Sequence, residues 1–270
     1  MSVLGKDGRG FASFSGKCPY ACLHCYTFIP DYESQGEDTI PKIVERLKGT
    51  NPNIIYISGH KENFIVPAEG IELGEKLFDN YHCDIMMTTR NVFDPAEIQR
   101  LSRLNKRMLD EGKNLFFCVS IPALGSYKKL ESNPIIPTPT ARMNFLSSVY
   151  AEGISTFLTV KPLCPNEFIP IEEALEIINR CKDFSTVVLS SGIVVDANIL
   201  NRLRGFPMDR LISSKEEPLM PCLGNASIPV HYVDVTGELQ EIEQLCKDNK
   251  LPFFQHSMPA VKYVRSLTRK

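Results

Sequence analysis

The chain has 270 residues, a length that allows either one α/β barrel of about 250 residues or two domains of about 150. Its 43% apolar and 23% charged residues exclude the disordered, collagen-like and coiled-coil classes. Thirty Lys and Arg against 32 Asp and Glu give a net charge of −2, which argues against strong sequence-independent phosphate binding and leaves open only a local basic groove.

Residues 1–10 lack the basic stretch and the apolar run of about 7 to 15 residues that a secretory signal needs. No apolar run approaches the roughly 18 residues needed to span a bilayer. The expectation is a cytoplasmic protein that does not touch the membrane. In that reducing compartment the nine cysteines are poor candidates for disulfides. Six of them, Cys83, Cys118, Cys164, Cys181, Cys222 and Cys246, stand singly among apolar neighbours and read as small buried hydrophobes.

The first strand-like run, Gly10 to Ser15, leads into Cys18-Pro19-Tyr20-Ala21-Cys22-Leu23-His24-Cys25. Three thiolates on one short loop can hold three corners of a cubane, whereas a four-cysteine iron–sulfur site needs a fourth thiolate that this loop does not supply; one iron would stay open. Three zinc ligands with a fourth from His24 or elsewhere is an alternative, although structural zinc sites favour paired C-x2-C units and no second pair exists. A redox dithiol made of Cys22 and Cys25 leaves Cys18 unexplained.

Beyond the loop, short β-rich runs alternate with amphipathic helical stretches, the pattern of βα units and a parallel sheet. Strands are predicted at Asn53 to Ser58, Asp84 to Thr89, Asn114 to Ser120, Ser155 to Lys161 and Thr186 to Ser191. The helices fall at Ile40 to Leu47, Ala68 to Asn80, Pro95 to Asp110, Pro139 to Ala151, Ile171 to Cys181 and Ala197 to Arg204. Asp94-Pro95-Ala96-Glu97 combines a cap, a first-turn proline and an acid at the helix start, and Glu111-Gly112 closes the far end. Thr138-Pro139 and Glu152-Gly153 bracket the next helix in the same way. Periodicity alone fits both an open partial barrel and a flavodoxin-like open sheet. From Phe206 onward come an apolar run, Ile228 to Val235, a helical stretch, Gly237 to Lys247, and the end segment Leu251 to Lys270. This tail is too short for a strong core of its own and is expected to pack on the open edge or mouth of the sheet.

A C-x3-C-x2-C loop with an aromatic-type residue before its third cysteine, ahead of repeating βα units, resembles the radical S-adenosylmethionine (radical SAM) superfamily. The resemblance spans about residues 10 to 192. It implies a partial (βα)6 TIM-like barrel, with residues 1–205 as the core and 206–270 as a C-terminal extension covering the open side. It also implies a [4Fe-4S] cluster on Cys18, Cys22 and Cys25, whose fourth iron is chelated by the amino and carboxylate groups of S-adenosyl-L-methionine. His24 stands where the family carries an aromatic ring near the adenine, and Tyr26 follows the third cysteine.

Active-site groups of parallel barrels sit at the carboxyl ends of strands. Ser58-Gly59-His60-Lys61-Glu62 lies where the family carries a Gly-Gly-Glu motif for the cofactor's amino group. Gly59 fits, Lys61 takes the aligned acidic place and Glu62 comes one position late. Thr88-Thr89-Arg90 resembles the Thr-Lys pair of the spore photoproduct lyase-like branch, and Arg90 could pair with the cofactor carboxylate, since a guanidinium matches two oxygens. Ser120 stands where a polar side chain meets the ribose. Glu131 and Arg142 could pair to fix a loop over the cofactor. The plainer readings are a polar loop, a surface arginine, a core serine and a solvated ion pair of little weight.

The implied reaction takes an electron from an external one-electron reductant such as flavodoxin or ferredoxin. Cleavage of S-adenosylmethionine then gives a 5'-deoxyadenosyl radical that abstracts hydrogen from a substrate. A small metabolite or nucleotide suits the compact chain and balanced charge; a nucleic acid or protein partner is the second reading. A non-catalytic iron–sulfur or zinc protein is the reading from another class. In the tail, Cys222 lies among turn formers in Leu219-Met220-Pro221-Cys222-Leu223-Gly224 and is the candidate hydrogen donor, with a buried loop thiol as the plain alternative.

Overall fold

The computed structural model describes residues 8–27, 36–59, 61–218 and 227–268. In chain order the elements are β1 (Arg9–Ala12), α1 (Ile40–Arg46), β2 (Ile54–Ile57), α2 (Pro67–Tyr81), β3 (Asp84–Thr89), α3 (Pro95–Asp110), β4 (Leu115–Ser120), α4 (Pro139–Ala151), β5 (Ser155–Thr159), α5 (Ile171–Cys181), β6 (Val187–Leu189), β7 (Val194–Val195), α6 (Ala197–Arg202), β8 (Leu211–Pro218), β9 (Ser227–Val233), α7 (Thr236–Asp248), β10 (Phe253–Phe254) and α8 (Ser257–Thr268). The first six strands pair in parallel in chain order, and β10 adds in parallel to β6, with Phe253 opposite Val188. The result is an α/β fold on a seven-stranded parallel sheet.

Local chemistry sets the helix boundaries. Asp94 accepts from the Glu97 amide while the Glu97 carboxylate accepts from the Asp94 amide, at 2.8 and 2.9 Å, so the start of α3 is a complete capping box. Gly112 and Gly153 take left-handed φ values of +69° and +73° beyond α3 and α4, a conformation a Cβ would oppose. The predicted strand to Lys161 stops at Thr159, because Pro162 has no N–H to continue a ladder.

Strand alternation loads both faces of the sheet. Ile55, Ile57, Ile85, Met87, Phe117, Val119, Leu158 and Val188 join the core shared with helices α1 to α5 and α7, whereas Ile54, Tyr56, Met86, Phe116, Phe157, Val187 and Leu189 form a second core. Burial on both faces is the usual state of a parallel sheet. On the second face the cover is α8, through Ala260, Val261 and Val264. Arg265 anchors that helix to Asp84 at 2.5 Å, and the Tyr56 hydroxyl donates to Ser257 Oγ at 3.0 Å. The apolar run at 228–235 does not extend the main sheet: β9 pairs antiparallel with β7 and β8 in a separate three-stranded sheet.

Five of the single cysteines, Cys83, Cys118, Cys164, Cys181 and Cys246, are buried, as their apolar surroundings predict. Cys222 and His60 lie outside the described residues. Among the described residues no helix is long and apolar enough to cross a membrane.

Candidate functional site

A cavity of about 1020 Å³ opens at the carboxyl ends of the strands. One side is the cysteine loop, which follows β1. Ala21 adopts a left-handed φ of +46°, a conformation costing a non-glycine residue of order 1–3 kcal/mol, so the surrounding contacts must hold the loop in shape. The Leu23 amide donates to the Leu130 carbonyl at 2.8 Å, Asn133 Nδ2 donates to the Pro19 carbonyl at 2.8 Å, and Arg202 donates to the carbonyls of Leu23 and Cys25 at 2.9 and 2.8 Å. Cys18, Cys22 and Cys25 pack together with Tyr20 and Ile136, and all three thiols line the cavity.

The predicted residues behind the loop form one connected network. Glu131 is fully buried and bridges two arginines, taking Arg142 at 2.6 Å on one oxygen and Arg90 Nε at 2.6 Å on the other. Burial pushes the Glu131 carboxyl up, but Arg142 and Arg90 outweigh it and hold the group below the usual carboxylate range. Arg142, itself 0% exposed, also donates to the Ser120 carbonyl at 2.6 Å. The pair anticipated between Glu131 and Arg142 therefore exists and is a buried brace rather than a solvated contact. Arg90 is 23% exposed at its side chain and lines the cavity while donating to His24 Nε2 at 3.2 Å. Because a guanidinium only donates, that bond puts the imidazole proton on Nδ1, which is buried with no hydrogen-bond partner among the described residues. Burial and the adjacent guanidinium push His24 down to about 3, so it is a neutral planar wall.

Glu62 is buried and already occupied. Its oxygens accept from the Thr89 hydroxyl at 2.9 Å, the Phe64 amide at 3.0 Å and the Arg90 amide at 2.8 Å, while its own amide approaches Cys18 Sγ at 3.5 Å. It joins the ends of β2 and β3 beneath the first cysteine. The Tyr26 hydroxyl donates to the Gly59 carbonyl at 3.3 Å, and Lys61 donates to the Ser15 carbonyl. Cys18, Cys22, Cys25, His24, Tyr26, Gly59, Glu62, Arg90 and Ser120 are thus brought to one cavity, and Glu131 and Arg142 stand behind it.

The opposite wall holds residues that the sequence reading did not single out: Thr159 at the end of β5 and Lys161 just beyond it, Ser191 after β6, Asn198 and Asn201 on α6, and Tyr232 on β9. Lys161 carried a usable signal, since it closes a predicted strand. Arg202 carried none, because its role depends on contacts with carbonyls 177 and 179 residues away.

Three thiols facing one cavity suit a polynuclear cluster. Among the described residues no three His, Cys, Asp or Glu side chains converge closely enough to hold a single metal ion. Burial pushes the Cys22 thiol up to about 12 against the opposing Arg90.

The seven-stranded parallel sheet and its helices have the fold of two solved proteins. Spore photoproduct lyase, in a variant with bound AdoMet and dinucleoside spore photoproduct, superposes with a TM-score of 0.62 at 11% identity over 92% of this chain and 75% of that one. SuiB of Streptococcus suis bound to S-adenosylmethionine gives a TM-score of 0.57 at 10% identity, again over 92% of this chain. The chain spans about half of SuiB, 50% of its length. No family model and no curated protein matches the sequence.

Proposed function

We propose that this protein is a radical SAM enzyme that acts on a small metabolite or nucleotide. The observation that carries the reading is the braced cysteine loop, whose three thiols open on the strand-end cavity. In this reading Cys18, Cys22 and Cys25 hold a [4Fe-4S] cluster whose fourth iron takes S-adenosylmethionine. The bound pair supplies reductive cleavage to a 5'-deoxyadenosyl radical and hydrogen abstraction from substrate.

The chain's own residues then have definable tasks. Arg202 and the Leu130 carbonyl fix the loop backbone, Glu62 fixes the β2 and β3 ends below it, and the Glu131 bridge aims Arg90 into the cavity as the cation for the cofactor carboxylate. His24 and Tyr26 offer planar faces to the adenine, Gly59 leaves room for close approach, and Ser120 stands at the end of β4 for the ribose. The first six strands act as a partial (βα)6 barrel with residues 1–205 as its core, and residues 206–270, which add β10 to the sheet edge, are the extension that covers its open side. Cys222 remains the candidate hydrogen donor. A one-electron carrier such as flavodoxin or ferredoxin supplies the electron, and the cytoplasm is the place of action. A nucleotide substrate is supported by the dinucleoside held by one neighbour, spore photoproduct lyase; SuiB is described with a precursor peptide.

The test is anaerobic reconstitution followed by incubation with S-adenosylmethionine and a strong reductant. Release of 5'-deoxyadenosine is expected. Zinc uptake without iron, or no cleavage by iron-loaded protein, would refute the reading.

A further inference from the structure

The cavity wall carries more positive than negative charge. Among the described residues, Lys17, Lys61, Arg90, Lys161 and Arg202 line it, against Glu62 as the single carboxylate. Glu62 is taken up by Thr89 and two amides, Arg90 is matched by Glu131, and Arg202 is spent on the cysteine loop. Lys61 is held by the Ser15 carbonyl beside the cysteine loop, and Lys161 is the lysine beyond the end of β5. Its ammonium donates to the Gln255 carbonyl, and among the described residues no carboxylate pairs with it. Burial pushes it down to about 8, with the Cys118 thiol opposing.

A partly buried cation without a counter-ion is costly and is retained where an anion completes it. Asn198 and Asn201, one turn apart on α6, are exposed side chains that line the same cavity. Lys161 follows β5, four strand positions from β1 and the cysteine loop, while α6 reaches that loop through Arg202.

We propose that Lys161, with Asn198 and Asn201, forms a subsite for an anionic group of the substrate, a phosphate or a carboxylate. The ammonium neutralises the anion and the two amides donate to its remaining oxygens. The inference rests on the radical-enzyme reading only for what befalls the rest of the substrate.

Trace acetylation with acetic anhydride, followed by mass spectrometry of the Lys161 peptide, reads the lysine directly on full-length, cluster-loaded protein, with exposed Lys48 as the internal reference. Inorganic pyrophosphate or malonate should protect Lys161 selectively; protection by pyrophosphate alone assigns a phosphate, and by malonate alone a carboxylate. Lys161→Met should weaken binding of the protecting anion about tenfold or more, and Lys161→Arg should restore most of it. The proposal is overturned if neither anion protects Lys161, if Lys161→Met binds the anion as tightly as the parent, or if S-adenosylmethionine alone protects the lysine, which would assign it to the cofactor. Missing 5'-deoxyadenosine strikes the enzyme reading instead, and protection is read without turnover, so the two failures are distinguishable.

Discussion

On the β1 to β3 side of the cavity the cysteine loop is tied through Leu130, Asn133 and Arg202, and the strand ends beneath it are joined through Glu62. On the β5 to β6 side, Lys161 has one carbonyl partner, and Asn198 and Asn201 are exposed side chains that line the cavity. The contrast separates two tasks. In the proposed reading, a cofactor that never varies would be served by a preorganised wall whose polar atoms are spent on one another, and a substrate by donors still open to it.

The largest effect that can break this contrast is loss of the ligands. Any of Cys18, Cys22 or Cys25 changed to Ala should leave less than the full iron content and no 5'-deoxyadenosine, with the far wall's anion binding intact; iron analysis and chromatography check both. Next comes the brace. Arg142→Met leaves Glu131 with one of its two cations, and removing one partner of a buried pair costs about 3–5 kcal/mol, measurable by urea unfolding. The sign of its pH dependence follows from the carboxyl held below the usual range. The stabilisation is fully present above the ordinary carboxylate pKa and is lost as pH falls through the lower folded value, so acid unfolding of the parent should flatten in the Arg142 variant.

A smaller effect falls on cofactor binding. Arg90→Ala should weaken S-adenosylmethionine by about 1.5–3 kcal/mol, the worth of a charged hydrogen bond, while iron content holds. An unaltered dissociation constant would make Arg90 a partner of Glu131 and His24 only. On the far wall, anion affinity should fall as pH rises through about 8, because Lys161 loses its charge there; calorimetric titration on either side of that pH checks it. The smallest effect lies away from the cavity, where Asp94→Ala removes the α3 capping box and should cost about 1 kcal/mol of stability with no change in iron binding.

The elements legible in the sequence are those with local causes. Strand and helix positions through α5 follow from apolar alternation, first-turn prolines and stop glycines, and the cysteine spacing located one wall of the cavity. The opposite wall was hidden because it is assembled at long range. α6 is barely two turns, β7 is two residues long, and Arg202 acts on a loop near the other end of the chain. The tail shows the same limit: α8 reads as an ordinary amphipathic helix, and nothing in its pattern tells that Ala260, Val261 and Val264 cover the second face of the sheet. Glu62 was legible as a strand-end acid, but its three hydrogen bonds to backbone and Thr89 depend on how β2 and β3 lie together.

The central claim is that three thiols of one loop hold a four-iron cluster with one iron left for S-adenosylmethionine. Mössbauer spectroscopy of protein reconstituted with iron-57 tests it most directly. The account predicts four irons per chain, one of them distinct from the other three and shifted when S-adenosylmethionine is added. Iron sites that are all equivalent and indifferent to S-adenosylmethionine, or a chain that takes up no iron, would contradict it.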